Sequence, residues 1–282
     1  MATMTDRANG AGPGAGRSLA RVAVVVPMSF REEMTPEEVI SCRHLTHHLS
    51  KYDKYAVVPR GSKIRLPGLD LREFGPEYFG SAAAHNRLML SQHFYERFTD
   101  YEFLLVYHLD SLVFSDQLEE WCAREFDFIG PPWLPGPDTP WVVRPGVGNG
   151  GFCLRRTASL LRVLNSDRYW QDPEEFWMAF CRNRSLPSRF VNLPRKYVKY
   201  IRRFNGVERQ ISKWDDNEDR FWAQYATHYD PGFRIAPVDT ALRFAFEADP
   251  RKCLELNGGK LPFGCHGWFR YDRAFWEPFL IR

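Results

Sequence analysis

Short apolar runs and longer amphipathic stretches alternate along the N-terminal half of the chain. Residues 22–26 form a β-branched run, and residues 55–59 form a second short apolar run. Between them, Thr35-Pro-Glu-Glu38 has the form of a capping box with proline at the first helical position. Another stretch with helical spacing opens at Ser81 and leads to a third apolar run, from Tyr101 to Phe114. Strands that alternate with helices predict a mainly parallel α/β sheet.

The third apolar run is interrupted by a single carboxylate, Asp110. A parallel strand that carries an acid near its carboxyl end places that acid at the crevice where α/β sheets bind ligands. Burying a lone carboxylate is costly unless a cation or several hydrogen-bond donors meet it. The run by itself leaves two interpretations of Asp110 open, a polar residue at a strand terminus and a ligand for a divalent metal.

The second half of the chain is less regular. Residues 131–145 are rich in proline and contain two tryptophans, which predicts a loop. Helical spacing returns at about 157–164 and again from about Asn217 to Tyr229. Near the C-terminus, residues 261–268 form a loop of glycine, proline and aromatic residues around one histidine, His266.

Three polar clusters in this half have both a structural and a functional interpretation. Gly148-Asn-Gly-Gly151 is typical of a tight turn, and it would also let the backbone approach a ligand closely. The acids of 215–219 suit a helix N-terminus, and they exceed what a cap requires, so one of them is a candidate general base. His266 suits a packed core, and as a neutral imidazole it also suits a metal site.

Composition predicts one large domain. The chain has 282 residues, of which 44% are hydrophobic, enough for a packed core. Residues 1–18 are rich in glycine and alanine and are predicted to be a disordered tail, so that 19–282 form a single domain. No apolar run reaches the roughly 20 residues of a membrane span. Six cysteines without a C-x-x-C pair predict reduced thiols and a cytoplasmic location.

Charge is concentrated in residues 182–213. This segment has ten Lys or Arg and one acid, a local charge of +9 in a chain whose net charge is +3. Basic and aromatic residues alternate, as in Arg189-Phe190 and Lys196-Tyr197. Turn signals predict a mobile segment. Three interpretations stay open: a solvated loop, a site for single-stranded nucleic acid and a contact with an anionic membrane surface.

Taken in order, these patterns resemble a largely uncharacterised family of GT-A-fold glycosyltransferases. The matching pieces are residues 24–27, 85–90, 104–114, 147–155, 217–221 and 261–268. The resemblance implies an α/β, GT-A-like fold, with a Rossmann-like nucleotide-binding half and a mixed, mostly parallel central sheet flanked by helices. It also implies a nucleotide-sugar donor and Mn²⁺ or Mg²⁺ as cofactor.

The resemblance also implies roles for single residues. Asp110 resembles the last acid of the family's Asp-x-Asp motif, and His266 resembles the late histidine of the metal site. His108 stands where the first acid is expected, so two roles stay open for it, facing the donor ribose or joining the metal shell, and it is counted with the donor-binding residues. Asp219 resembles the general base of inverting enzymes, with Glu218 positioning the base or the acceptor.

The remaining expectations concern the two substrates. The predicted donor-binding residues are Pro27, Ser29, Arg31, Arg87, His108, Asn149, Gly150 and Gly151, and the predicted acceptor-binding residues are Asn217 and Trp268. The predicted reaction is transfer from a uridine-diphosphate sugar to a hydroxyl of a saccharide or a lipid-linked saccharide. Inversion is favoured, with Asp219 as the base, and retention stays open. Segment 182–213 would contact the membrane, whereas a nucleic-acid partner is disfavoured. The alternatives are a nucleotidyltransferase of related fold and a binding module for nucleic acid or anionic surfaces that uses 182–213.

Overall fold

The computed structural model describes residues 20–31, 33–64 and 66–282. The predicted tail, 1–18, lies outside the described residues. The strands are β1 (Ala20–Pro27), β2 (Asp53–Pro59), β3 (Asp70–Phe74), β4 (Tyr101–Tyr107), β5 (Leu112–Val113), β6 (Phe128–Ile129), β7 (Pro132–Trp133), β8 (Gly146–Val147), β9 (Phe152–Arg156), β10 (Ala245–Phe246) and β11 (Gly264–Cys265).

Helices connect these strands and cover the sheet. In chain order they are α1 (Pro36–His48), α2 (Ala82–Met89), α3 (Gln92–Glu96), α4 (Leu118–Cys122), α5 (Thr157–Leu164), α6 (Pro173–Cys181), α7 (Leu186–Val191), α8 (Leu193–Lys199), α9 (Arg202–Asn205), α10 (Val207–Ile211), α11 (Glu218–Tyr229), α12 (Val238–Phe244), α13 (Pro250–Leu256) and α14 (Arg273–Trp276). None of these helices combines the length and the hydropathy needed to cross a bilayer.

A six-stranded mixed sheet forms the centre of the fold, in the order β3-β2-β1-β4-β9-β6. The first four strands of this order are parallel, whereas β9 runs antiparallel to both β4 and β6. Two smaller sheets, β10-β11-β5 and β7-β8, lie beside it. The predicted fold class, an α/β protein with a mixed, mostly parallel central sheet flanked by helices, is confirmed.

The apolar run of β1 forms a central strand because it is buried on both faces. Its side chains alternate between two hydrophobic cores: Val22, Val24 and Val26 enter one, and Ala23 and Val25 enter the other. Period-two alternation across a pleated sheet explains this division. A strand that is covered on both sides needs a continuous apolar run, which is the pattern that the sequence shows.

Local signals placed several helix ends correctly. The predicted capping box is present at α1: the Thr35 hydroxyl accepts from the Glu38 amide, and the Glu38 carboxylate accepts from the Thr35 amide. The helix predicted from Ser81 is interrupted, because Ser91 caps a new helix, α3. The sequence missed β3, whose mixed polar residues suit a strand at the edge of the sheet.

The basic segment 182–213 contains helices where only turns were predicted. Pro187 and Pro194, taken as turn signals, lie in the first turns of α7 and α8. Proline is well tolerated there, because the missing amide hydrogen would have no partner in the helix. The segment therefore folds into four short helices, α7 to α10.

Candidate functional site

The strand order creates a ligand crevice between β1 and β4. From β1 the chain continues to β2 and β3 on one side of the sheet, whereas β4 lies on the other side. In open α/β sheets, ligands bind at such a switch point, outside the carboxyl ends of the strands. Pro27 ends β1 and Tyr107 ends β4, so His108 and Asp110 follow directly at this edge.

Two cavities open at this edge and share four residues. One has a volume of about 510 Å³ and is lined by the chain that follows β1, including Pro27, Ser29 and Arg31. The other has a volume of about 470 Å³ and is lined by the Asn149 turn and the start of α11. The residues common to both cavities are Ala82, His85, His108 and Asp110.

Three potential metal ligands lie together where the cavities meet. One donor atom each from His108, Asp110 and His266 lies within 4.8 Å of the others. Nε2 of His108 is buried and has no hydrogen-bond partner among the described residues. Burial holds the pKa of His108 well below its usual range, so the imidazole is neutral and can offer a lone pair.

Two carboxylates hold the His266 ring from opposite sides. Nε2 lies 3.2 Å from Oδ1 of Asp110, and Nδ1 lies 2.9 Å from Oε1 of Glu247. Burial by itself would lower the pKa of His266, but these two carboxylates raise it to about 10. At this pKa the ring is protonated at neutral pH, so a metal would displace the proton on Nε2, while the hydrogen bond from Nδ1 to a carboxylate keeps Nε2 directed at the metal position. His266 has this orientation toward Asp110 and His108.

Asp219 lies at the start of α11 with its carboxylate in the second cavity. The backbone amide of Asn149 donates to Oδ2 of Asp219 at 2.7 Å. Burial, and then the neighbouring Glu218 carboxylate, raise the pKa of Asp219 to about 7 despite this hydrogen bond. A carboxyl group with such a pKa can exchange a proton near neutral pH.

The turn at Asn149 contacts both His266 of the metal-ligand cluster and the Asp219 carboxylate. Asn149 has a φ of 70°, a left-handed conformation that is uncommon for residues other than glycine. Its side-chain oxygen accepts from the amides of Gly151 and Phe152, at 2.8 and 3.3 Å. Its amide nitrogen lies 3.0 Å from Nδ1 of His266, while its backbone holds Asp219.

A buried ion pair supports the first turn of α11. Nη2 of Arg155 lies 2.6 Å from Oε1 of Glu218, with both side chains almost fully buried. Nη1 of Arg155 donates to the Tyr95 hydroxyl at 2.9 Å. The guanidinium of Arg155 is enclosed in protein, so its role is to neutralise Glu218 and not to contact a ligand.

Most of the predicted site residues are brought together. Those that line the second cavity are His108, Asp110, Asn149, Gly150, Gly151, Asn217, Glu218, Asp219 and His266. Pro27, Ser29 and Arg31 line the first cavity. The two cavities divide the predicted donor-binding residues, because Asn149, Gly150 and Gly151 line the second cavity with Glu218 and Asp219, and of the predicted donor-binding residues only His108 lines both cavities.

Two predicted residues lie elsewhere. Trp268 was expected to stack on a sugar, but it is fully buried and its indole nitrogen donates to the Ser41 hydroxyl at 3.1 Å. No face of the ring is open to a ligand, so this prediction is corrected. Arg87 lies outside both cavities, on a neighbouring depression, and its guanidinium donates to the carbonyl of Glu77 at 2.9 Å.

Several cavity residues were missed by the sequence. Glu247 follows β10 and reaches the site only because β10 pairs with β11, which directly precedes His266. Arg270 approaches Asp110 at 3.3 Å. Trp133 and Trp141 of the proline-rich loop line the second cavity, with ring centroids 5.6 Å apart. The two tryptophans were visible in the sequence, but no motif connected them with the site.

Comparison with solved structures gives distant similarities. A glycosyltransferase involved in the glycosylation of the major capsid of PBCV-1 is 13% identical over 90% of this chain and 96% of that chain, with a TM-score of 0.44. The apo form of the glycosyltransferase GlyE of Streptococcus pneumoniae TIGR4 is 14% identical over 93% and 61% of the two chains, with a TM-score of 0.44. The galactosyltransferase LgtC, solved with donor and acceptor sugar analogs, is 12% identical over 86% of each chain, with a TM-score of 0.43.

Sequence comparison identifies a family. No protein with a curated description matches the chain. Residues 68–266, well over half of the 282, match the family described as "Protein of unknown function (DUF5672)". This matched region includes β4, the Asn149 turn, the start of α11 and His266. The chain therefore belongs to the DUF5672 family.

Proposed function

We propose that this protein is a glycosyltransferase that uses a nucleotide-diphosphate sugar. The observation that carries the proposal is one crevice that combines three potential metal ligands with a carboxyl group whose pKa is near neutrality. The crevice lies at the switch point of the sheet, where α/β proteins bind nucleotides. Sugar transfer to a hydroxyl needs both elements, one for the leaving diphosphate and one for the incoming oxygen.

The donor is assigned to the first cavity. Pro27, Ser29 and Arg31 follow β1 and line this cavity, and we propose that they contact the base and ribose of a uridine nucleotide. Phe79 and Phe269 line the same cavity and offer apolar faces to a planar base. The cavity ends at His108 and Asp110, so the diphosphate would lie against the metal-ligand cluster.

The cluster suits a divalent metal, and Mn²⁺ suits it better than Mg²⁺. His108, Asp110 and His266 offer two imidazole nitrogens and one carboxylate oxygen, whereas Mg²⁺ prefers an octahedral shell of oxygens. Two observations support this proposal: Nε2 of His108 has no partner in the described part of the chain, and the Glu247 carboxylate lies beside Nδ1 of His266. When bound, the metal would neutralise charge on the departing diphosphate.

Asp219 is the proposed general base. The oxygen of the acceptor hydroxyl bonds to the anomeric carbon, the bond from this carbon to the diphosphate oxygen breaks, and the hydroxyl proton passes to the Asp219 carboxylate. Displacement by a hydroxyl from the face opposite the diphosphate inverts the anomeric carbon. Asn217 lines the cavity beside Asp219 and is proposed to position the acceptor, whereas Glu218, held by Arg155, is proposed to position the base.

The acceptor is proposed to be a saccharide or a lipid-linked saccharide. Trp133, Trp141 and Tyr271 line the second cavity, and aromatic rings of this kind stack on sugar faces. They take the stacking role that the buried Trp268 cannot fill. We propose the cytoplasm as the location of the reaction.

A donor screen tests the proposal. The purified protein is incubated with a panel of nucleotide sugars, either with Mn²⁺ or with a chelator, and free nucleoside diphosphate is measured. We expect wild type to release nucleoside diphosphate from a uridine-diphosphate sugar only when the metal is present. Asp110→Asn should lose this activity, and Arg87→Gln should keep it because Arg87 lies outside the crevice. Release of pyrophosphate would instead indicate nucleotidyl transfer, and failure to bind or hydrolyse every donor would contradict the proposal.

Gly151→Ala is expected to weaken Mn²⁺ binding by about tenfold or more, because support around metal ligands is typically worth that much. A β-carbon at Gly151 would lie 2.0 Å from Nε2 of His266, so the imidazole would have to move away from Asp110. Gly146→Ala is the matched control, since its nearest neighbour would be a Trp133 ring carbon at 3.5 Å. Titration with Mn²⁺ followed by electron paramagnetic resonance measures both affinities. Equal affinities of the two variants would argue against His266 as a ligand.

A further inference from the structure

Exposed apolar side chains are concentrated in one part of the structure. In the described part of the chain, fourteen large hydrophobic side chains are exposed, and nine of them lie between residues 178 and 204. They are Met178, Leu186, Phe190, Val191, Tyr197, Val198, Tyr200, Ile201 and Phe204. On α7, Leu186, Phe190 and Val191 are each more than three-quarters exposed. A cluster of this kind on an ordered surface marks an interaction site.

Basic side chains occupy the same surface. The guanidinium groups of Arg184 and Arg195 lie 4.2 and 5.8 Å from the ring centroid of Phe180, which belongs to α6. Nζ of Lys199 lies 4.7 Å from the ring centroid of Phe176 on the same helix. Cations and apolar groups are therefore interleaved on helices α6 to α9, which we call the basic-apolar face.

Nearby acids neutralise only part of this charge. Lys196 pairs with Glu174, and Arg202 pairs with Asp167. Within the described residues, Arg182, Arg184, Arg189, Arg195 and Arg203 have no carboxylate within ion-pair distance. The face thus keeps a strong positive charge beside its apolar residues.

Buried contacts hold this face against the domain. Asn205 is fully buried, and its amide nitrogen donates to the carbonyls of Gln171 and Lys199, at 2.7 and 2.8 Å. The carbonyl of Asn205 accepts from the Trp170 amide at 2.7 Å. Bonds of this kind, made inside the protein, fix the relative positions of α8, α9 and the chain before α6. The exposed apolar groups are thus displayed by an ordered scaffold.

We propose that the basic-apolar face docks on an anionic lipid surface. Short amphipathic helices that carry basic residues and exposed Leu, Val, Ile and Phe side chains enter the boundary between headgroups and acyl chains. Arg and Lys beside them gain from the negative potential of anionic headgroups, and their aliphatic stems tolerate the apolar region. The proposal goes beyond the transferase reaction and does not depend on it.

The apolar composition favours lipid over nucleic acid as the occupant. Single-stranded nucleic acid is bound by aromatic stacking in a basic groove, whereas Leu186, Val191, Val198 and Ile201 offer branched aliphatic groups that do not stack on bases. These four side chains are exposed where a nucleic-acid site would need polar or planar contacts. At the boundary between headgroups and acyl chains these side chains are removed from water, and the favourable free energy of burial is proportional to their apolar area.

Vesicle flotation with the full chain tests the proposal. We expect binding to vesicles of phosphatidylcholine mixed with phosphatidylglycerol, little binding to phosphatidylcholine alone, and weaker binding as salt is raised. Leu186→Ser/Phe190→Ser removes two exposed apolar anchors and should reduce the partition coefficient by about tenfold or more. The matched control is Val143→Ser/Leu256→Ser, which removes two exposed apolar residues outside the face and should bind like wild type.

A second pair of variants tests the charge. Arg184→Glu/Arg195→Glu should reduce binding to the anionic vesicles by about tenfold or more, whereas Arg43→Glu/Arg124→Glu makes the same change of charge elsewhere and should reduce it less. Arg124 also lies over an aromatic ring, that of Trp121, so the control includes loss of a comparable contact. Thermal melts of all variants confirm that they fold.

Three results would overturn the proposal. The first is equal partition onto neutral and anionic vesicles, and the second is equal binding of the face variants and their controls. The third is binding of a single-stranded RNA homopolymer, lost in the face variants, in a protein that does not bind vesicles. Donor hydrolysis, measured on the same samples without lipid, should be unchanged in the face variants, which separates this proposal from the proposed function.

Discussion

Asp219→Asn is expected to reduce the rate of the proposed sugar transfer by about 10²- to 10⁴-fold, the usual contribution of a positioned general base. An amide in place of the carboxylate keeps the shape of the side chain and can still accept from the Asn149 amide, but it cannot take the hydroxyl proton. In wild type, kcat/KM should rise with pH through about 7, because the pKa of Asp219 is raised to about 7 and only the ionised form is a base. The residual rate of the variant should lack this rise.

The same substitution should stabilise the protein at alkaline pH. The folded state keeps the Asp219 proton up to about pH 7, whereas the unfolded chain loses it near the ordinary value of 3.8. The folded state therefore binds more protons between these values, and this carboxyl makes the free energy of unfolding fall as pH rises through that range. This decrease in the free energy of unfolding is complete above pH 7 and amounts to at most about 4 kcal/mol.

Urea unfolding and transfer kinetics at pH 5 and pH 8 measure the two effects together. Asp216→Asn is the matched control, because Asp216 lies three residues before Asp219, pairs with Arg220 and is partly exposed. It should keep both the pH rise and most of the activity. Wild-type transfer by Asp219→Asn would reject Asp219 as the base. If Asp219→Asn is no more stable than wild type at pH 8, burial of the ionised Asp219 carboxylate does not destabilise the folded state.

Arg155→Met is expected to lower the free energy of unfolding by about 3–5 kcal/mol, the usual cost of leaving one partner of a buried ion pair alone. Arg155 is fully buried, and its guanidinium donates to the Glu218 carboxylate at 2.6 Å and to the Tyr95 hydroxyl at 2.9 Å. Without it, the Glu218 carboxylate would have to stay charged in an apolar surrounding or take up a proton. Because Glu218 opens α11, the position of Asp219 should also be disturbed.

The neighbouring arginine provides the control. Arg156 lies one position along β9, its side chain is 24% exposed and its two carboxylate partners lie 3.7 Å away. Arg156→Met should cost about 1 kcal/mol or less, as expected of a partly exposed pair. The double variant Arg155→Met/Glu218→Gln should recover part of the lost stability, since it removes the orphaned charge. Urea unfolding measures all three, and a loss from Arg155→Met no larger than that from Arg156→Met would show that the buried pair is not stabilising α11.

The residues that the sequence placed correctly are those whose role is signalled by their neighbours in the chain. The apolar run of β4 predicts a buried strand, and Asp110 follows that strand at the edge where ligands bind. The capping box gives the start of α1, and the acids near Asp219 give the start of α11. Each of these signals is complete within a few residues, so no knowledge of distant contacts is needed.

The sequence was less reliable where exposure decided the role. Trp268 is an aromatic residue beside a glycine-rich loop, a setting that suits both a sugar platform and a core residue. In the structure it packs with Trp276, Phe275 and other residues of a third hydrophobic core. Similarly, the apolar residues of 182–213 could have been buried, and only their exposure indicates a docking surface.

The sequence alone determined the α/β class, the acid after β4, the helix that begins near Asp219 and the concentration of positive charge in 182–213. The tertiary structure decided which polar groups meet: Asn149 lies beside His266 across 117 positions of sequence, and Arg155 neutralises Glu218 across 63. It also decided that Glu247 orients His266 and that Trp268 is buried. The physical reason is that helix and strand periodicity are set by neighbouring residues, whereas burial, charge pairing and the pKa of a carboxyl depend on groups that only the folded chain brings within a few ångströms.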